Sequence, residues 1–398
     1  MATDSWPSSD PNAERSRPPH GDRAVAAPDF QRDVYCVLGL PFDAVTMTQT
    51  VARVRQAALM NKRCFISTPN LNFLIAARSD TAFRDSVLNS DLSLADGMPL
   101  IWMARLLGLP LPERVSGAGL FESLLAHAGP PVTVFFFGGP DGVAATACEK
   151  VNARAGGLRC VGFESPGFGS LESISDAERI ARINASGAQF VIVALGAKKG
   201  QAWIERNAAA LTAPVLCHLG AVVNFAAGVV QRAPRGVQAA GLEWAWRIKE
   251  EPALLRRYVD DGLHFLRLLF TRVLPDAVTG ALRGAGDAAR DRPVLTTTSS
   301  PTTTTIALAG AWGRDALPPL RAALQTAMAS GSAICVDVAK VTHADNALIA
   351  LLLLAFTPPA ARAPLRLRGV GPQLARTLRR SGAEFLLTES PSGETLDV

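Results

Sequence analysis

Metal-ligand spacing is missing from this 398-residue chain: its six cysteines, at 36, 64, 148, 160, 217 and 335, form no C-x-x-C pair, and its five histidines form no H-x-H or H-E-x-x-H. No metal site is expected, and a reduced, cytosolic chain is the simplest reading. Charge is scarce as well, at 19% of residues against about 25% in an average globular protein. The 40 Lys+Arg against 35 Asp+Glu leave only +5, without the concentrated basic face of a nucleic-acid binder. That excess still suits a membrane surface or an anionic small substrate. The first residues, to Pro28, are polar with five prolines and lack the apolar h-region of a signal peptide. Nor is there a membrane span. The uncharged run Asn207 to Gln231 is broken by Pro214, His218, Asn224 and glycines, and the ten apolar residues Ala347 to Phe356 fall short of the roughly 20 a span needs; both read as buried core. A dehydrogenase or epimerase would need a G-x-G-x-x-G fingerprint, which is absent.

What is present is apolar and ordered. Hydrophobic residues make up 48% of the chain, and at roughly 150 residues per domain the length allows two to three units. Residues 1–30, rich in Pro, Ser, Asp and Arg, read as a disordered lead. Over 31–275 strand-length apolar runs alternate with helical patterns, the signature of an α/β fold with a mostly parallel, Rossmann-like sheet. The clearest strands are Cys64 to Ser67, Val132 to Phe137, Phe190 to Leu195 and Pro214 to Leu219. Residues 276–303 shift to Gly, Ala, Asp and Arg and then to a threonine-rich stretch, and read as a linker. A smaller α/β pattern follows over 304–398 and reads as a complete small domain: strand Thr304 to Ala309, helix Arg314 to Met328, strand Ala333 to Val338, helix Asn346 to Phe356, strand Leu365 to Gly369 and helix Gly371 to Arg380.

Ligands of open α/β sheets bind at the carboxyl ends of strands, so the segments after each strand are the candidate site. Ser67-Thr68-Pro69-Asn70 offers hydroxyl and amide groups, or simply a helix N-cap with an early proline. Ala95-Asp96-Gly97-Met98-Pro99 supplies an acid that is either a general base or a turn residue. The turn of Gly138 and Gly139 opens a helix, where backbone N–H groups favour phosphate. Lys198 and Lys199 follow a buried strand, as anion ligands or as solvated loop lysines. Arg114 carries the planar fork that suits a diphosphate.

Read in order, T-x-N, A-D-G-M-P-L, E-R-V-S-G, F-F-G-G-x-x-G-V-A, L-G-x-x-K, N-F-A-A-G-x-x-x-R-A-P and G-L-E-W-x-W-R-x-x-x-E-P resemble the WecG/TagA/CpsF glycosyltransferases, glycosyltransferase family 26, from about Asp33 to Val273. The resemblance implies inverting transfer of a sugar from a UDP-sugar to a polyprenyl-diphosphate-linked saccharide at the cytoplasmic membrane face, in exopolysaccharide or other cell-surface polysaccharide assembly. No metal or other cofactor is implied. It makes Asp96 the general base, places Thr68 and Asn70 in the sugar pocket, and gives Arg114 the leaving diphosphate. Gly138, Gly139, Lys199, Gln201 and Asn224 fall on its substrate-binding motifs. Two motifs depart from the family. Where it reads G-x-P-K-Q-E-x-W, Lys198, Gly200 and Gln201 replace Pro, Gln and Glu, and where it reads F-D-F, Asn224 replaces the carboxylate. Residues 241–275 match the family's C-terminal appendage, which closes over the site and touches the membrane. Arg256 and Arg257 there are candidates for the donor diphosphate, and apolar positions 259, 263, 266, 270 and 273 keep the spacing of an interfacial helix or of one packed on the core.

The second domain resembles a STAS domain through Ile334 to Leu348. Asn346 stands where switch versions carry a phosphorylatable serine, so a docking or regulatory role with a protein partner is the expectation. Asp337 reads as a turn acid and Asp345 as a helix N-cap. The rival to a transferase is a non-catalytic nucleotide-sugar scaffold that signals through the second domain.

Overall fold

The computed structural model describes residues 28–167, 169–279, 291–356 and 365–388; most of the expected lead lies outside them. Twelve strands occur among these residues: β1 (Val34–Val37), β2 (Leu40–Asp43), β3 (Cys64–Ser67), β4 (Leu92–Ser93), β5 (Val132–Gly138), β6 (Leu158–Glu164), β7 (Phe190–Ala194), β8 (Val215–His218), β9 (Val294–Ser299), β10 (Thr303–Trp312), β11 (Ala333–Ala344) and β12 (Arg366–Arg368). Six of them form a parallel sheet in the order β4-β3-β8-β7-β5-β6. The central strands are near-continuous apolar runs because both faces are covered. Val134, Phe136, Ile192 and Cys217 pack on one side. Phe135, Phe137, Val191 and Leu216 pack on the other, where Trp203 stacks on Phe137 at 4.3 Å. After β4 the chain crosses to β5, runs outward to β6, and returns through β7 and β8 to the middle, which gathers the loops after β3, β4, β5, β7 and β8 along one edge.

Three expectations are corrected. Cys148 and Cys160 form a disulfide, because helix Val143–Asn152 folds back along β6, so the chain is not fully reduced here. The expected linker 276–303 contains β9, which pairs antiparallel with β10. Its threonines are polar because this is an exposed edge strand, and β-branched residues suit that position. The lead ends earlier than residue 30, since Phe30 is fully buried.

The small domain has a core that continues into the first. Its sheet runs β12-β11-β10-β9, and helix Asn346–Phe356, apolar all round, is buried along its length from Ala347 onward. A helix apolar on every side needs partners on every side. This one has helix Leu317–Ser330 and the β1–β2 hairpin of the first domain as neighbours, and shares one apolar cluster with Ile306, Val336 and Val338 of the small sheet. The resulting cluster joins Trp312, Leu320 and Val336 to Val34, Leu40 and Phe42, and reaches Leu100, Ile101 and Met103 of helix Met98–Leu106, which follows Asp96. Polar ties reinforce the joint: Arg321 donates to the Phe30 and Arg32 carbonyls, and Arg272 pairs with Glu384 at 3.1 Å.

The hairpin turn is seated backbone to backbone. Leu38 and Gly39 both have positive φ (50° and 88°), as a two-residue hairpin turn of this hand requires. A Cβ on Gly39 would lie 2.4 Å from the Gly382 carbonyl oxygen, and one on Gly382, itself at φ +77°, 2.5 Å from the Leu38 carbonyl carbon. Gly382→Ala is therefore expected to lower stability by about 3 kcal/mol through strain and lost docking; urea denaturation checks this, and an unchanged midpoint contradicts the seating.

Candidate functional site

The site is built where β3 and β4 end. Leu94 N–H donates to the Ser67 carbonyl (2.9 Å), Asp96 N–H to the Pro69 carbonyl (3.0 Å) and Val115 N–H to the Ala95 carbonyl (3.0 Å). These bonds zip the segments carrying Thr68, Asn70, Asp96 and Arg114 side by side. Gly97, at φ +143°, turns the chain into helix Met98–Leu106 in a conformation other residues rarely adopt. Gly117 lets the next helix close on the group, since a Cβ there would meet Leu219 Cδ2 at 2.4 Å and Thr68 Cγ2 at 3.6 Å.

Asp96 is half-buried and its Oδ2 accepts from Gly117 N–H at 3.2 Å, at the N-terminus of helix Gly117–Leu125. Burial pushes its carboxyl up to about 6, against the lowering pull of that N–H and of Arg114. A carboxylate with a pKa near 6 is ionised at neutral pH yet basic enough to take a proton. Arg114 donates to Glu243, and Arg232 pairs with Glu122, lies 3.7 Å from Glu243 and donates to Ser116 Oγ at 3.4 Å. Two guanidinium groups thus meet over Glu243 beside Asp96. An incoming diphosphate can replace Glu243 as their partner. Arg232 and Glu243 were not assigned from the sequence, although they stand in the R-A-P and G-L-E-W motifs quoted above.

The remaining candidates divide. Asn70 caps helix Leu71–Ala77, its side-chain oxygen accepting from Phe73 N–H at 3.2 Å, and Thr68 is buried beside Gly117. Gly138 is needed by packing, since a Cβ there would lie 2.5 Å from the Ala194 carbonyl oxygen, and the N–H of Gly139, itself at φ +87°, already donates to that oxygen at 2.9 Å. That N–H is not the phosphate donor the turn suggested. Lys199 donates to the Gly169 carbonyl, and Lys198 pairs with Asp80 at 3.0 Å. Gln201 is wholly buried, donating to Ser67 Oγ at 2.7 Å. Asn224 sits on helix Val222–Ala227, whose Val223 lies against Gly139. Arg256 is exposed, and Arg257 leans on Asp261 (3.7 Å) and Tyr258 of its own helix. Among the described residues no three His, Cys, Asp or Glu side chains converge as a metal site.

The appendage does close beside the site. Gly241 packs on Met98 and Trp102, Trp246 Nε1 donates to the Gln231 carbonyl at 3.1 Å, and Arg247 lies over Phe225. Helix Leu255–Leu268 and its continuation turn Leu268 and Val273 inward. Leu255, Val259, Leu263 (62% exposed), Leu266 and Phe270 (64%) face outward, so of the five expected apolar positions only Val273 is buried. No helix of the described residues is long and apolar enough to cross a membrane.

Residues 35–277 match the glycosyl transferase WecG/TagA/CpsF family, and residues 295–388 match a Mlab-type STAS domain. An N-acetylglucosaminyldiphosphoundecaprenol N-acetyl-beta-D-mannosaminyltransferase from Bacillus spizizenii is 30% identical over 221 residues, 55% of this chain and 84% of that protein. Among solved structures, a complex of SsGBP with GDP is 13% identical, covering 66% of this chain and 90% of that one, with a TM-score of 0.20. The chain belongs to the WecG/TagA/CpsF glycosyltransferase family, and its second domain is of the STAS type.

Proposed function

We propose that this transferase moves a sugar from a UDP-sugar to a polyprenyl-diphosphate-linked saccharide, with inversion, in assembly of a cell-surface polysaccharide. The observation that carries the reading is Asp96, a half-buried carboxylate raised to about 6 and flanked by Arg114 and Arg232. Asp96 takes the proton of the acceptor hydroxyl as its oxygen attacks the anomeric carbon. The bond to the UDP oxygen breaks, and the guanidinium groups of Arg114 and Arg232 take up the charge of the departing diphosphate. No divalent ion is required in this scheme. The lipid-linked acceptor follows the similar Bacillus enzyme, whose name specifies an undecaprenol-diphosphate acceptor.

A polyprenyl acceptor places the enzyme at the inner face of the cell membrane. The outward stripe of Leu255, Val259, Leu263, Leu266 and Phe270, with Arg256 and Arg267 on the same stretch, is the surface that supports it. Each inserted side chain contributes about 1.5–3 kcal/mol. The pair Leu263→Glu and Phe270→Glu is expected to weaken binding to anionic vesicles at least 100-fold by flotation, leaving UDP affinity intact; equal flotation contradicts the membrane face. The function itself is tested by offering UDP-N-acetylmannosamine, UDP-N-acetylglucosamine and UDP-glucuronic acid with a short-chain polyprenyl-diphosphate N-acetylglucosamine, in the presence of a chelator. One donor is expected to give lipid-linked product. Tight UDP binding with no product from any donor would favour the scaffold reading, to which the altered Lys198 to Gln201 segment and Asn224 lend support.

A further inference from the structure

β8 ends on His218 and β3 on Ser67, and the pairing Ile66↔Cys217 sets these two residues side by side at the carboxyl edge of the sheet. Side chains alternate along a strand, so both lie on the face of Phe65 and Leu216, under helix Ala197–Asn207. His218 is only 8% exposed, yet neither ring nitrogen has a hydrogen-bond partner among the described residues. Gln201 beside it is fully buried. Its Nε2 donates to Ser67 Oγ, and its Oε1 is likewise unpartnered. Leaving buried polar atoms unanswered is destabilising. Two such side chains on neighbouring elements at the ligand-binding edge of an α/β sheet mark a place for a polar ligand group. The neighbouring ring is Phe73, 6.4 Å away between centroids, in the helix that Asn70 caps, so the cluster adjoins the site described above.

A second observation ties His218 to this chain's departure from the family. A Cβ on Gly200 would lie 2.2 Å from His218 Cδ2. The family pattern has glutamine at that position, so a glutamine there and this imidazole exclude one another. We infer that His218, with Gln201, forms a subsite that recognises a hydroxyl of the nucleotide-sugar donor, and that its ring occupies the space the family gives to a glutamine side chain at position 200. The inference rests on the UDP-sugar reading above. Burial holds the imidazole neutral, with its pKa lowered to about 4, so it presents one N–H donor and one nitrogen acceptor at working pH. One ring nitrogen together with the Gln201 carbonyl oxygen suits a hydroxyl, which both donates and accepts. It does not match a phosphate, which asks for cations.

Calorimetry of the full chain with UDP and with UDP-N-acetylmannosamine tests this, with melting curves as the folding control. His218→Ala is expected to weaken UDP-N-acetylmannosamine at least 10-fold. An equal loss for UDP assigns the hydroxyl to the ribose, and an unchanged UDP affinity assigns it to the sugar. In transfer, the donor KM rises while kcat stays within about threefold. Gly200→Gln alone is expected to abolish binding through the clash, and adding His218→Gly restores it to within about threefold of the parent. The double variant thus keeps the test decisive if His218→Ala folds poorly. A folded His218→Ala chain that binds both ligands like the parent overturns the subsite, whereas a parent chain that binds no uridine nucleotide overturns the function beneath it.

Discussion

Asp96→Asn is expected to lower transfer 10²- to 10⁴-fold, the range a positioned general base supplies, while UDP still binds. Asparagine keeps the shape and the oxygen that accepts from Gly117 N–H, but it takes no proton from the acceptor. The parent enzyme's pH profile reports the same group. With the carboxyl raised to about 6, kcat/KM falls with unit slope as pH drops below 6 and levels off above it. Stability runs the other way. The folded pKa lies above the ordinary value of 3.8, so ionising Asp96 opposes folding, and the opposition fades as pH falls through 6 toward 3.8. Asp96→Asn should therefore melt higher than the parent above pH 6 although it is nearly inactive, the exchange of stability for function found in active sites. An asparagine variant that transfers at the parent rate removes Asp96 from the chemistry.

Leu351→Asp is expected to unfold both domains at once. Leu351 is fully buried in the helix whose apolar cluster takes in both the small sheet and the β1–β2 hairpin. A buried, unpaired carboxylate there costs roughly 4–5 kcal/mol or more, comparable with the whole stability of an ordinary domain at about 5–15 kcal/mol. Because the core is continuous as far as Leu100 and Ile101, next to the Asp96 turn, the loss reaches the transferase site. The parent chain should show one calorimetric transition, and Leu351→Asp should lose UDP binding together with its native circular dichroism. Two transitions, with UDP binding retained after the STAS-type domain melts, would contradict the joint core. The hairpin of the transferase domain covers one flank of the STAS-type domain's apolar helix. Arg314, beside the Asp345 cap, pairs with Asp33 at 2.8 Å.

The strands that read clearly from sequence, Cys64 to Ser67, Val132 to Phe137 and Phe190 to Leu195, did so because runs buried on both faces are apolar throughout. The hairpin escaped for the same reason. Val34 to Phe42 is one apolar stretch whose turn is Leu38-Gly39, without the Asn or Asp that usually signals such a turn. β9 escaped because an exposed edge strand of threonines has a linker's composition. At the site, Thr68, Asn70, Asp96 and Arg114 were legible because each follows or caps a recognisable element within a spaced motif. Arg232 and Glu243 were visible as motif letters, but their partners are remote in sequence, and only folding shows that they meet Arg114 and Ser116. His218 gave no local signal at all. Its significance lies in contact with Gly200 and in nitrogens left without partners.

The most direct measurement follows one preparation through both halves of the reaction: UDP released and lipid product formed, by mass spectrometry, for the parent chain and for Asp96→Asn, with UDP affinity measured on the same samples. Equal amounts of UDP and glycosylated lipid are expected from the parent, and from Asp96→Asn retained affinity with product reduced at least 100-fold. Undiminished product from Asp96→Asn, or UDP release unaccompanied by glycosylated lipid in the parent, would contradict this mechanism.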